Sequence, residues 1–253
     1  MDKFNIISHR GANRYRPQNT IPAFEKSIEI GVDGFETDVH LTKDGQIVLC
    51  HNHEIDETSN GKGEISKLTL EQLKRYDFGS YFSEKYAQTK IPTLEEFLTI
   101  SKAAGIQVLN IEIKSQKERN SEIVKQTIET VKSFDMYDQL LISSFDTDVL
   151  IEAKKYDQNC KTGFLISPTQ NFSTVLKKSV VETAVKQLGA DAIHPFSRFI
   201  NKALVEQAHE QCLIVNTWTV NTSSNFSKMI QCGVDGLITD YPDVAHGMLS
   251  KFF

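Results

Sequence analysis

Glu36 and Asp38 stand one residue apart in Gly34-Phe35-Glu36-Thr37-Asp38-Val39-His40, a segment that reads as a buried strand. Side chains alternate across a strand, so both carboxylates leave one face while Phe35, Thr37 and Val39 leave the other. Adjacent carboxylates repel each other and resist burial. Something positive must sit between them. A hard divalent cation such as Ca2+ or Mg2+ takes carboxylate oxygens. A neighbouring Arg and Lys pair in a structural network is the alternative.

The elements that would hold such a pair are legible along the whole chain. Short apolar runs predict strands at 4–8, 34–41, 107–113, 139–143, 161–166, 190–193, 213–217 and 236–239. Helical patterns fall between them at 20–30, 94–104, 121–134, 147–156, 174–188, 202–211 and 223–231, with a last helix at 241–249. Strict alternation implies a parallel sheet. Eight such units in 253 residues predict a (β/α)8 TIM barrel, as one domain over 1–253. A doubly wound open sheet is the runner-up, but no Gly-x-Gly-x-x-Gly follows the first strand. The stretch at about 52–92 is too long for a plain loop and is expected to form a small insertion after strand two. Its Phe78, Tyr81, Phe82 and Tyr86 read as that insertion's own core, with an apolar wall over the site as the alternative. No repeat is expected.

Barrel active sites gather at the C-terminal ends of the strands. His9 and Arg10 follow the first strand, and His51 ends the run Ile47-Val48-Leu49-Cys50 that trails the second. Glu112 and Lys114 share a face near the end of the third. Trp218 closes the seventh, as a wall for substrate or as core packing, and Asp240 closes the eighth, where it is expected to cap the last helix, with orienting a partner as the alternative. His40 and His53 read as surface residues, with a supporting role for His40 as the alternative; His194, His209 and His246 read as loop or helix residues.

Composition narrows the classes. A net charge of −5 argues against a nucleic-acid partner. No apolar run approaches the ~20 residues of a membrane span, and the first residues carry no signal-like run, so a cytoplasmic protein is expected. Cys50, Cys160, Cys212 and Cys232 lack paired spacing and read as buried reduced thiols.

Ten short stretches in order extend the reading: His9-Arg10-Gly11, Pro17-Gln18-Asn19-Thr20, Glu36-Thr37-Asp38-Val39, Thr42-Lys43-Asp44-Gly45, His51, Ile91-Pro92-Thr93-Leu94-Glu95-Glu96, Asn110-Ile111-Glu112-Ile113-Lys114, Ser143-Ser144-Phe145, Trp218-Thr219-Val220-Asn221 and 233–240. Over almost its full length the chain resembles the glycerophosphodiester phosphodiesterase family, of the cytosolic bacterial type. The resemblance implies the same barrel with an insertion after strand two. It implies hydrolysis of a small-molecule glycerophosphodiester to glycerol 3-phosphate and an alcohol. It implies a divalent metal on Glu36, Asp38 and Glu112, phosphate contacts from Arg10 and Lys114, and proton transfer by His9 as acid and His51 as base. Two residues depart from the family pattern: Gln18 stands where glutamate is usual and Asn52 where aspartate is usual. A related barrel acting on lysophospholipids or inositol phosphodiesters, and a non-catalytic phosphate-binding barrel, are the alternatives.

Overall fold

The computed structural model describes residues 4–167 and 180–250. Eight parallel strands form a closed TIM barrel: β1 (Asn5–His9), β2 (Gly34–Leu41), β4 (Val108–Ile113), β5 (Leu140–Ser144), β6 (Thr162–Ile166), β7 (Ala192–Pro195), β8 (Ile214–Thr217) and β9 (Gly236–Thr239). Closure comes from β1, which pairs with both β2 and β9. The short β3 (Ile47–Leu49) pairs antiparallel with β2. All eight residues of β2 are buried, as expected of a parallel strand covered on both faces.

Helices α1 (Ile21–Ile30), α3 (Leu94–Ala103), α4 (Asn120–Ser133), α5 (Thr147–Tyr156), α7 (Lys202–His209), α8 (Ser223–Cys232) and α9 (Pro242–Leu249) lie between strands or after the last. Shorter helices α2 (Leu70–Leu73) and α6 (Val180–Thr183) accompany them, and α6 runs into a π-helical turn at Ala184–Leu188. The helix expected at 174–188 is seen only from 180 onwards; residues 174–179 lie outside the described residues. Local signals explain the boundaries. Thr93 and Glu96 form a capping box at the start of α3, each satisfying a free backbone N–H of the other. Between helices and barrel, Phe24, Phe35 and Phe97 pack with ring centroids 4.7 to 5.8 Å apart.

A short repeat, where the sequence pattern predicts none, sets strand entry. Gly31, Gly189 and Gly233 each end a helix in the left-handed region, which glycine adopts without a Cβ clash. Two residues later Asp33, Asp191 and Asp235 accept the backbone N–H of Ile6, Thr162 and Val215 respectively, at 2.7 to 2.9 Å. Each aspartate thereby ties the entering strand to its neighbour.

Between β3 and α3 a second, smaller core gathers Val48, Cys50, Ile55, Ile65, Leu73, Phe78 and Ile91. Of the four aromatics expected there, only Phe78 joins it; Tyr81 and Phe82 are exposed, and Tyr86 stacks edge-on against Phe82. Polar contacts hold their hydroxyl-bearing rings at the surface: the Gln18 N–H donates to the Tyr81 hydroxyl, and Arg16 lies over the Tyr86 ring. Three other expectations are corrected. Cys50 and Cys160 are buried, but Cys212 is exposed and Cys232 half-buried, because both fall at helix ends rather than inside apolar runs. His194 is a buried strand residue of β7, its ring bonded to Asn216 across to β8. His40 is fully buried on β2 with its ring 4.9 Å from that of exposed His53. Among the described residues no helix is long and apolar enough to cross a membrane.

Candidate active site

Strand register brings the reactive residues together. His9 of β1 lies level with Glu36 of β2, and Asp38 of β2 lies level with Glu112 of β4. The hairpin at 42–46 turns the chain back through β3, and the Cys50 N–H bonds the Asp38 carbonyl at 3.0 Å. That contact returns His51 to the same level. Arg10 and Gly11, with φ of 56° and 75°, bend the chain off the end of β1. A left-handed arginine is strained by roughly 1–3 kcal/mol, a strain typical of functional sites. Its return is two bonds from the Arg10 N–H to Glu36, one to the carbonyl and one to Oε2.

One oxygen each from Glu36, Asp38 and Glu112 lie within 4.8 Å of one another, all buried. Two cations face these three acids. The Lys114 ammonium is 2.8 Å from Asp38 and 2.5 Å from Glu112, and Arg10 Nε is 3.4 Å from Asp38. One negative charge is left over. The titration behaviour follows from that count. Burial and the charge of Asp38 push Glu36 well above the usual carboxylate range. Burial, with Asp38 helping and Lys114 opposing, pushes Glu112 up to about 7. Burial acts on Asp38 too, but Lys114 and Arg10 outweigh it and hold its carboxyl well below the usual range. A compact, buried, oxygen-only donor set with surplus negative charge fits a hard dication.

The two imidazoles have different partners. His9 Nδ1 donates to Asp240 Oδ1 at 2.6 Å. Asn13 and Asn221 donate to the two oxygens of Asp240 at 2.7 and 2.6 Å, which fixes the carboxylate. Asp240 therefore orients His9, the alternative reading of that residue, and does not cap α9, whose N-cap position is Tyr241. Burial and Arg10 lower the His9 pKa, while Asp240 opposes them. His51 Nδ1 meets Asn52 Oδ1 at 2.6 Å, and burial lowers its pKa to about 4.

Supporting residues missed in the sequence are Asn19 and the asparagines around Asp240, Asn13 and Asn221. Asn19 donates to Asp38 Oδ2 at 2.8 Å and accepts from Thr37. It lies within Pro17-Gln18-Asn19-Thr20, so its position is legible in the sequence although its partner is not. Gln18 Oε1 accepts from the Arg10 guanidinium at 2.7 Å and so supports it without a charge.

His9, Arg10, Glu36, His51, Glu112 and Trp218 line one cavity of about 230 Å3. Trp218 stands between Phe145 and Phe196, with its indole N–H donating to the His194 carbonyl at 2.6 Å. A second cavity of about 590 Å3 adjoins it, sharing His51, Glu112 and Phe145 and walled further by Glu54, Asp56, Glu57 and Asp146.

A barrel with acids, imidazoles and a guanidinium at the C-terminal rim defines a hydrolase class built for an anionic ester. Comparison with known proteins gives the family. Residues 9–244 match the glycerophosphoryl diester phosphodiesterase family. The chain is 36% identical to the glycerophosphodiester phosphodiesterase of Caldanaerobacter subterraneus subsp. tengcongensis, over 97% of this chain and 98% of that one. It is 32% identical to that of Bacillus altitudinis, over 95% and 96%. Its fold is similar to an Oleispira antarctica phosphodiesterase solved with its product sn-glycerol-3-phosphate, with a TM-score of 0.88, 27% identity and coverage of 97% and 96%. The chain belongs to the glycerophosphoryl diester phosphodiesterase family.

Proposed function

We propose that this protein hydrolyses glycerophosphodiesters to glycerol 3-phosphate and an alcohol, with a divalent cation, Ca2+ or Mg2+, held by Glu36, Asp38 and Glu112. The observation that carries the reading is the convergence of three buried carboxylate oxygens within 4.8 Å, beside two imidazoles with opposite kinds of partner. When bound, such an ion supplies positive charge to the phosphoryl oxygens. The Arg10 guanidinium grips a non-bridging oxygen through its fork, and Lys114 adds a point charge. His51 is paired with an uncharged amide and stays neutral, so it takes the proton from the attacking hydroxyl, whether of water or of the glycerol 2-position. His9 is held by Asp240, which opposes the burial and the Arg10 charge that lower its pKa, and it is the group that returns a proton to the leaving alkoxide. Trp218 walls the organic end of the substrate. The whole barrel acts as one domain, with the segment at about 52–92 as its insertion.

The adjoining cavity is walled mainly by polar and acidic side chains, with Ile113 and Phe145 as its apolar members. That lining suits a small polar alcohol better than an acyl chain. A coupled assay of glycerol 3-phosphate release, run over several head groups with calcium, magnesium and manganese, tests the reading. The expected result is turnover that stops in excess chelator. Turnover unchanged in chelator, or release of fatty-acyl products only, would overturn it.

A further inference from the structure

Asn52 is the residue that needs explaining. A carboxylate at that position presents an acceptor to His51 whichever way it turns. An amide has one accepting and one donating end, and only the accepting end suits a base that must keep Nε2 free.

We propose that Glu57 is a positioning residue for His51, acting through Asn52. The inference rests on the reading of His51 as general base. Asn52 Nδ2 lies 2.8 Å from Glu57 Oε2, and Asn52 Oδ1 lies 2.6 Å from His51 Nδ1. An ionised carboxylate can only accept, so the amide NH2 must face Glu57. The amide carbonyl must then face His51, which requires the proton on Nδ1 and leaves the lone pair on Nε2. His51 Nε2 makes no hydrogen bond among the described residues, and His51 lines the catalytic cavity.

The backbone holds Glu57 in place. Ile55 is fully buried in the insertion's core, and its N–H bonds Gly63 O at 3.0 Å. The Thr58 N–H closes a turn onto Ile55 O at 3.2 Å, and Asp56 Oδ1 accepts the Gly63 N–H at 2.9 Å. Both neighbours of Glu57 are tied, so its side chain returns over Asn52. The insertion thus reaches His51 through the Glu57 carboxylate, as it reaches Arg10 through Tyr81 and Gln18. Without Glu57 the amide is free to turn its NH2 toward Nδ1, which would move the imidazole proton to Nε2 and block the base.

Glu57 is exposed, so water competes for Asn52 and the effect is moderate. With glycerophosphocholine as substrate, Glu57→Ala lowers kcat by about tenfold, the size of one ordinary hydrogen bond, with KM within about twofold. Glu57→Gln restores most of that loss, because a carboxamide oxygen still accepts from Asn52. Asn52→Asp alone is slow, because two carboxylates then meet at hydrogen-bond distance. Asn52→Asp with Glu57→Gln recovers, because the glutamine amide donates to the new carboxylate. Long-range proton–nitrogen NMR reads the His51 tautomer directly: Nδ1–H in wild type and Glu57→Gln, with Nε2–H emerging in Glu57→Ala. Equal kcat in wild type and Glu57→Ala, or an unchanged tautomer in Glu57→Ala, would overturn the proposal. His51→Ala is the control for the underlying reading. If His51→Ala turns over normally, the base assignment fails and the proposal with it. If His51→Ala is inactive while the Asn52 and Glu57 variants show no reversal, only the role of Glu57 fails.

Discussion

Metal affinity should rise with pH, because the ion and a proton compete for the same surplus charge. Three buried carboxylates face the two cations Arg10 and Lys114, so without a dication the cluster retains a proton near neutrality. Glu112, pushed up to about 7 by burial, must release its proton to become a ligand. One pH unit below that value weakens binding by about tenfold, or about 1.4 kcal/mol. Between pH 8 and pH 6 Glu112 alone should therefore lower affinity about tenfold, and between pH 8 and pH 5 about a hundredfold. Glu36, raised well above the usual carboxylate range by burial and by Asp38, adds a second proton that competes with the ion. Isothermal titration with Mn2+ in two buffers of different ionisation enthalpy counts the protons released. The expected count is about half a proton at pH 7 from Glu112, approaching one or more at pH 6. Glu112→Gln should weaken binding and lower the number of protons released on binding. A flat affinity from pH 6 to pH 8 with no proton released would refute the reasoning, since it would mean the cluster is fully ionised or binds nothing.

Further outcomes follow from the neighbours of the site. Asp240→Asn should lower kcat by about a hundredfold, the usual scale of proton transfer, while leaving Mn2+ affinity within about twofold; steady-state kinetics beside metal titration separates the two. Asp240 is also depressed to about 2 despite burial, because His9, Asn13 and Asn221 all donate to it. Its folded pKa lies below the unfolded value, so its stabilisation of about 2 kcal/mol is full above about pH 4 and is lost as pH falls toward about 2. The gap in urea unfolding between wild type and Asp240→Asn should be full at pH 6, about half as large at pH 3, and closed only near pH 2 and below; an equal gap at pH 6 and pH 3 would contradict the linkage. Gln18→Ala removes the neutral acceptor of Arg10 and should raise KM several-fold with little change in kcat. An unchanged KM would show that Asp38 alone orients the guanidinium.

The sequence carried the frame of this account because its signals are local and periodic. Alternation along β2 placed Glu36 and Asp38 on one face, and the strand and helix periods gave the barrel with most boundaries within one or two residues. What was hidden depends on partners far apart in the chain. Asp240 reads as a helix cap locally, yet its partner His9 is 231 positions away. Asn19 meets Asp38 only because the loop after β1 folds over β2. The alternation that placed the two acids also puts His40 on their face, but a histidine near a strand end gives no sign of full burial. β3 has three residues and reads as a trailing run; its antiparallel pairing, which sets the height of His51, belongs to tertiary structure.

The central claim is that Glu36, Asp38 and Glu112 hold one divalent cation. Anomalous diffraction from crystals grown with Mn2+ tests it most directly. The expected result is a single strong peak in contact with an oxygen of each of the three residues. A peak elsewhere, or none at this cluster in protein that still releases glycerol 3-phosphate, would contradict it.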